Sequence, residues 1–297
     1  MLTAFVAVSL TFFALRLGAG DPTDSLMAQN LVTPGQLAAL RASLGLDQPL
    51  LVQYASFVAG LARLDLGVSL FTGRPVVRVI AEQLGPTLQL AAAGLMAAIV
   101  IGLALGILSA WSRNRLAADG ARMVSGLATG LPVALTGILA LLLLSATPLG
   151  RLPGLGAGLT RGLLLPALVL GFASAGAIAR AVHTELTRSR TEPYMTAAAA
   201  RGIQDSPRLL WHALRPALPL VISLVALQAA FLFAGTVVTE TVFSRPGIGR
   251  LLVSSILQGD YPVAQGLVVL AALIYTLSQV IADLLALAVD PRLRGGT

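Results

Sequence analysis

Five stretches of this sequence carry no charged residue: Gln83 to Ser112, Met123 to Gly150, Gly162 to Ala179, Pro216 to Thr239 and Tyr261 to Ala282. A helix crossing the hydrocarbon of a bilayer needs about 20 apolar residues, within a range of roughly 17–25. All five meet that length, Gly162 to Ala179 at its short end. A sixth apolar segment, Met1 to Leu15, is shorter and ends at Arg16, whose head can snorkel to an interface. The expected fold is all-α, a polytopic membrane protein with six transmembrane helices. A signal peptide is the rival for the first segment. However, no basic region precedes it, and Leu17-Gly18-Ala19-Gly20-Asp21 is a poor cleavage site.

Composition supports lipid as the main solvent. Only 11% of the 297 residues are charged, against about 25% in soluble domains. The formal net charge of +7 raises nucleic acid as a partner. The arginines are scattered between apolar runs, with no aromatic-rich basic face, so the expected partner is the bilayer and not nucleic acid.

Two absences restrict the chemistry. All 20 basic residues are Arg, and Cys is missing. A phosphate-binding loop of the G-x-x-x-x-G-K-[ST] type needs a lysine to reach the β- and γ-phosphates. The chain has none, so any ATP it depends on must be bound by another subunit. His183 and His212 are far apart in sequence and suggest no metal cage. No thiol, His/acid cluster or metal spacing suggests an enzyme.

Arginine also sets the expected orientation, because short cytoplasmic loops are enriched in it. Arg113, Arg115 and Arg122 follow the second span. Arg180, Arg188, Arg190, Arg201, Arg208 and Arg215 follow the fourth, and Arg292 and Arg294 follow the sixth. The opposite short loops hold only Arg151 with Arg161, and Arg245 with Arg250. Both termini are therefore expected in the cytoplasm. The domain reading is a first helix over 1–17, an extracytoplasmic loop with short helices over 18–82, and a membrane core over 83–297. In the outer loop, Thr33-Pro34-Gly35-Gln36 reads as a capping box with Pro at the first helical position. Leu37 to Leu44 would continue that helix to a left-handed cap at Gly45. Leu50 to Leu64 reads as a helix lying on the membrane or on the bundle.

The most basic cytoplasmic loop, 184–215, contains a patch built to bend. Tyr194 to Arg201 is rich in helix formers, and Gly202 is a natural C-terminal cap. Ser206 is expected to cap a second helix, with Pro207 at its first position. Leu209, Leu210, Ala213 and Leu214 would give that helix an apolar stripe, with Arg208, Trp211 and His212 facing elsewhere. Pro216 and Pro219 would mark entry into the fifth span. Such a pair of short helices can transmit force from a soluble partner; a loop that merely sets topology is the simpler alternative.

The order of residues in this patch resembles the coupling motif of permease subunits in binding-protein-dependent ABC importers: Thr196-Ala197-Ala198, then Gly202, then Leu218-Pro219. Thr196 stands where many members carry Glu. Tyr194 with Ala200-Arg201-Gly202 is more similar to the dipeptide/oligopeptide/nickel permease branch. Leu44-Gly45-Leu46-Asp47-Gln48-Pro49, Asp65-Leu66-Gly67-Val68-Ser69, Glu240-Thr241-Val242-Phe243, Pro246-Gly247-Ile248-Gly249 and Asp290-Pro291-Arg292 extend the resemblance along nearly the whole chain. Family members usually begin about ten residues earlier, which suggests a shortened start here.

The resemblance implies a type I-like importer permease in a bacterial or archaeal inner membrane. Its implied partners are a second homologous permease in a heterodimer, two ATP-binding subunits and an extracytoplasmic substrate-binding protein. It implies no cofactor bound by this chain and ATP used by the partner subunits. The loop residues Tyr194, Thr196, Ala197, Ala198, Arg201, Gly202, Pro207 and His212 would couple to the ATPases. Di- or oligopeptides are the expected cargo, with nickel or another small solute as the alternative. A secondary transporter is the alternative of another class, but neither internal repeats nor paired midplane acids are evident.

Within the spans, Gln228, Gly235, Thr236 and Thr239 share one helical face. They are candidates for a translocation path, or for helix packing, since small and hydroxyl residues fill membrane helix interfaces. Glu240 is a candidate outer contact, able to meet a binding protein or to pair with Arg245 or Arg250. Thr276, Gln279 and Asp283 share a face in the last span, with Gln279 and Asp283 read as polar groups at a helix interface.

Overall fold

The computed structural model describes residues 2–18, 27, 33–43, 45–148 and 162–289. Within them the regular structure is helical apart from an isolated antiparallel bridge between Val68 and Pro75. The helices are α1 (Leu2–Gly18), α2 (Pro34–Ser43), α3 (Leu50–Ala62), α4 (Val76–Trp111), α5 (Arg115–Gly130), α6 (Val133–Ala146), α7 (Leu164–Arg190) and α8 (Pro193–Ala200). A short turn, α9 (Asp205–Pro207), leads through a π-helical stretch, Arg208–Leu214, into α10 (Arg215–Val242). α11 (Ile248–Gln258) and α12 (Tyr261–Val289) complete the described chain. Residues 149–161 and 290–297, which hold part of an expected outer loop, Arg292 and Arg294, lie outside the described residues.

Among the described residues, three helices are long and apolar enough to cross a membrane, Val76–Trp111, Leu164–Arg190 and Asp205–Ala229, or four if a bent pair is one span. The third expected span differs from the sequence reading. Instead of one helix over 123–150, α5 and α6 meet at a bend of 116°. Pro132 explains the break: it has no N–H to donate, and its ring drives the preceding residue out of the helical region. Leu131 accordingly sits at φ −89°, ψ 128°. α1 is 17 residues long, at the short end of the spanning range, while α12 runs 29 residues from Tyr261 to Val289.

The chain forms two compact units, one of residues 1–87 with 246–277 and one of 88–245 with 278–297. In the first, Thr33 and Gln36 form the expected cap, with the Thr33 N–H donating to Gln36 Oε1 at 2.9 Å. Gly45 takes the left-handed conformation at φ +64°. Phe12 is buried and stacks on Phe57 with ring centroids 5.2 Å apart. Leu15, Tyr261 and Ala264 pack together in a second cluster. Asp260 anchors the 65–75 loop by accepting from Ser69 Oγ at 2.5 Å and from the Leu70 N–H at 3.2 Å.

The second unit is organised around α7, which packs against α5, α6, α8, α10 and the π-helical stretch. Glycine sets its closest approaches. A Cβ on Gly94, Gly102 or Gly106 of α4 would lie within 2.9 Å of Leu170, Ile178 or Val182 of α7, respectively. On α7 itself, a Cβ on Gly171 would strike the Gly94 carbonyl at 2.6 Å, and one on Gly176 the Ser125 carbonyl of α5 at 2.6 Å. Backbones brought this close gain dispersion contacts, the main attraction between helices when lipid is as apolar as the side chains. Ile178, Val182 and Leu186 continue this packing into a cluster with Ala110, Met195 and Ala213.

Candidate functional site

The basic patch folds into an elbow. Pro193 starts α8, and Met195 and Ala198 turn inward. Gly202 ends the turn at φ +74°, with nothing within 4 Å of where a Cβ would stand. That is the left-handed cap expected from the sequence.

The second arm differs from expectation. Its helix starts at Asp205 after Gln204, so Ser206 is not the cap and Pro207 is its third residue. The arm is also no separate helix. It widens into the π-helical stretch and runs on into α10 through Pro216. Pro216 and Pro219 offer no N–H to the preceding turn, and a wider turn accommodates that loss.

Side chains from distant segments fix the elbow. Asp205 forms ion pairs with Arg113, from the α4–α5 connection, and with Arg208. Arg190 donates to the Ala110 carbonyl at 2.6 Å and lies 4.7 Å from the centre of the Trp111 ring. Trp111, Arg190, Met195, Thr196, Ala199, Asp205 and Arg208 line a cavity of about 260 Å³ beneath the elbow. Asp205, Arg113 and Arg190 were not singled out as site residues by the sequence pattern, because their partners are remote in sequence.

The outward face is mixed. Thr196, Ala197, Arg201, Gly202 and Pro207 are exposed, and Tyr194 is 41% exposed. Leu210 leaves the expected apolar stripe and joins Trp211, which is 65% exposed, on the outside. Leu209, Ala213 and Leu214 pack inward as expected. His212 is half-buried, with its Nδ1 enclosed. Ala198, expected on the coupling face, is buried and supports that face from within.

The polar face of α10 is divided. Gln228 is half-buried. Thr236 is 0% exposed and donates to the Phe233 carbonyl of its own helix at 2.7 Å. Thr239 is likewise buried and donates to the Gly235 carbonyl at 3.0 Å. Both hydroxyls are therefore enclosed by this chain in this conformation. Glu240 is also fully buried, so it presents no free outer surface. Its carbonyl accepts from the Arg245 N–H at 2.9 Å, and Arg245 Nη1 donates to the Gly162 carbonyl at 3.0 Å. On α12, Thr276 bonds to the Ala272 carbonyl at 2.8 Å, and Gln279 is exposed. The Asp283 backbone is helical, and its side chain lies outside the description.

Helices of spanning length, apolar faces turned outward and a braced Arg-rich elbow define a multi-pass membrane protein. Comparison with known proteins identifies its family. Residues 102–295 match the family described as binding-protein-dependent transport system inner membrane component, and residues 1–91 match its N-terminal region. The chain belongs to that family. It is a non-catalytic inner-membrane permease subunit of an ABC importer, working with ATPase and binding-protein partners, and ATP is hydrolysed by the partner ATPases.

It is 32% identical over 290 residues to a probable peptide ABC transporter permease protein of Sinorhizobium fredii, covering 95% of this chain and 92% of that one. It is 35% identical over 300 residues to the glutathione transport system permease protein of Salmonella typhimurium, covering 98% and 95% respectively. Inward-facing structures of the MetNI methionine ABC transporter share the fold. One matches with a TM-score of 0.60 at 19% identity, covering 72% of this chain and 97% of that one. The purified chain, lacking lysine, is expected neither to bind nor to hydrolyse ATP. Turnover by a preparation free of ATPase subunits would contradict that expectation.

Proposed function

We propose that this subunit forms half of a translocation path for di- or oligopeptides and couples it to the ATPases through the elbow at 184–215. The carrying observation for cargo is the likeness, along nearly the full chain, to permeases named for peptide and glutathione transport. Glutathione is itself a tripeptide. A path for peptides of varied side chains needs neutral hydrogen-bonding groups rather than a fixed charge, and of Gln228, Thr236 and Thr239 it is Gln228 that is not enclosed. A bare divalent metal would call for His, Asp or Glu ligands, so nickel stands as the second reading.

The test is uptake of labelled dipeptide, glutathione and nickel by the reconstituted importer. Peptide uptake supports the proposal, and nickel uptake without peptide uptake overturns it. Gln228→Leu is expected to lower peptide uptake several-fold while assembly and basal ATP hydrolysis persist. Unchanged uptake would move the path elsewhere. Thr236→Trp should cost assembly as well, because Thr236 is enclosed.

A heterodimer with a second permease completes the proposed assembly. The elbow's coupling face is Tyr194, Thr196, Ala197, Arg201, Gly202 and Pro207, supported by Ala198 and His212; exposed Leu210 and Trp211 extend it. The arginine asymmetry supports cytoplasmic termini. Reporter tags at Gly120, Gln204 and Thr297 should read cytoplasmic, and tags at Gly35, Gly156 and Gly259 outside. An outside signal at Gln204 with a cytoplasmic one at Gly35 would overturn this orientation.

A further inference from the structure

The first unit contains a cavity of about 230 Å³ whose walls include Phe12, Arg16, Gln53, Phe57, Tyr261 and Gln265. Among the described residues, two side-chain amide atoms enclosed at this cavity, which Arg16 also lines, have no hydrogen-bond partner: Gln53 Oε1 and Gln265 Nε2. Gln265 is only 7% exposed. The Gln53 amide cannot simply be turned over. Its Nε2 donates to the Leu46 carbonyl at 3.1 Å and to the Gln48 carbonyl at 2.8 Å. A flip would set oxygen against two oxygens, so Oε1 is held as a bare acceptor. Buried polar atoms are nearly always satisfied, and each exception calls for an explanation. Here a fixed acceptor on Gln53 and a Gln265 amide able to offer its N–H stand unsatisfied in the walls of one cavity, beside stacked aromatic rings.

That pair is the complement of a peptide group, which carries one N–H donor and one C=O acceptor. We propose that this cavity is a peptide-binding subsite of the permease itself, in which Gln53 Oε1 accepts the peptide N–H and Gln265 Nε2 donates to the peptide carbonyl. Phe12, Phe57 and Tyr261 enclose the adjoining side chain. The volume lies below the roughly 300–1,000 Å³ of pockets that enclose drug-sized ligands. It therefore admits one residue-sized piece of a peptide and not a long chain. On the proposed orientation this unit includes the extracytoplasmic loop, where cargo first arrives. The subsite rests on the peptide-import reading.

The probe is glycyl-leucine, with its N-methylated peptide analogue and free leucine as controls. Each is titrated calorimetrically against the assembled permease–ATPase complex without binding protein. The wild type is expected to bind glycyl-leucine. N-methylation, which removes the donor, and Gln265→Leu, which removes the other partner, should each weaken binding at least about tenfold. Gln265→Leu removes an unpartnered buried donor and creates none, so it should assemble normally; Gln53→Leu is the second variant. Wild-type binding that is indifferent to N-methylation or to Gln265→Leu overturns the subsite. So does an absence of binding, which would leave the cavity to water. Uptake with binding protein present separates the two readings. Peptide uptake without binding by the permease complex overturns the subsite alone. Binding lost in Gln265→Leu supports the subsite even where uptake fails.

Discussion

Gly106→Ala is expected to destabilise this protein, although Gly→Ala within a helix ordinarily stabilises by about 0.5–1 kcal/mol. The cause is the α4–α7 contact. A Cβ on Gly106 would lie 2.6 Å from Val182 Cβ and 2.9 Å from the Ala179 carbonyl. Neither atom is the free end of a flexible side chain, so the helices themselves must separate. Overpacking of this kind typically costs about 1–3 kcal/mol, and Gly106→Val should cost more than Ala. Separation would also loosen Ile178, Val182 and Leu186, which carry the packing to Met195 at the base of the elbow. Gly126 on α5 is the control, because nothing lies within 4 Å of its Cβ position. Gly126→Ala should be neutral or stabilising. The measurement is the folded fraction after extraction and heating, followed by size-exclusion chromatography. Equal behaviour of the two Ala variants would refute the close-packed interface.

These glycines also mark how far the sequence could be read. Charge-free runs located the main helices because a charge in hydrocarbon is costly and delimits a span. The same signal failed within 123–150. Charge does not report a bend, and the effect of Pro132 was hidden inside an unbroken apolar run. The elbow was legible at Gly202, since the need for positive φ is a local property. Its bracing was not, because Arg113 and Asp205 meet across 92 positions of sequence. The face of Gln228, Thr236 and Thr239 was periodic enough to find. Periodicity, however, cannot distinguish a polar face that lines a route from one that returns its hydroxyls to its own backbone. Glu240 poses the same problem: a carboxylate next to a predicted span reads as a surface group until the packing around it is known. The unsatisfied glutamines of the first unit were invisible for the opposite reason, because nothing local makes Gln53 or Gln265 unusual.

Gly202→Val should leave the permease inserted and assembled in the membrane while strongly reducing transport. Gly202 sits at φ +74° in open space, so steric contact plays no part and the cost is backbone strain alone. For an L-residue that strain is roughly 1–2 kcal/mol, and a β-branched side chain is the least tolerant. The inexpensive escape is for residue 202 to leave the left-handed region. That breaks the cap in which the Gly202 and Ile203 N–H groups donate to the Ala199 and Ala198 carbonyls. α8 would then point in a new direction relative to Asp205, and the exposed face of Tyr194, Thr196, Ala197 and Arg201 would miss its proposed groove on the ATPase. The bundle should be unaffected, because the mutated position touches none of it. Gly202→Asn is the conservative test, since Asn enters the left-handed region more readily, and it should recover much of the lost transport. Arg201→Glu, which reverses charge on the same face without altering φ, should weaken ATPase association if the groove rim is acidic. The readouts are ATPase co-purification and substrate-stimulated ATP hydrolysis in reconstituted membranes. Wild-type coupling in both Gly202→Val and Arg201→Glu would reduce the basic patch to a determinant of topology. Loss in Val with rescue in Asn would tie coupling to the left-handed turn itself.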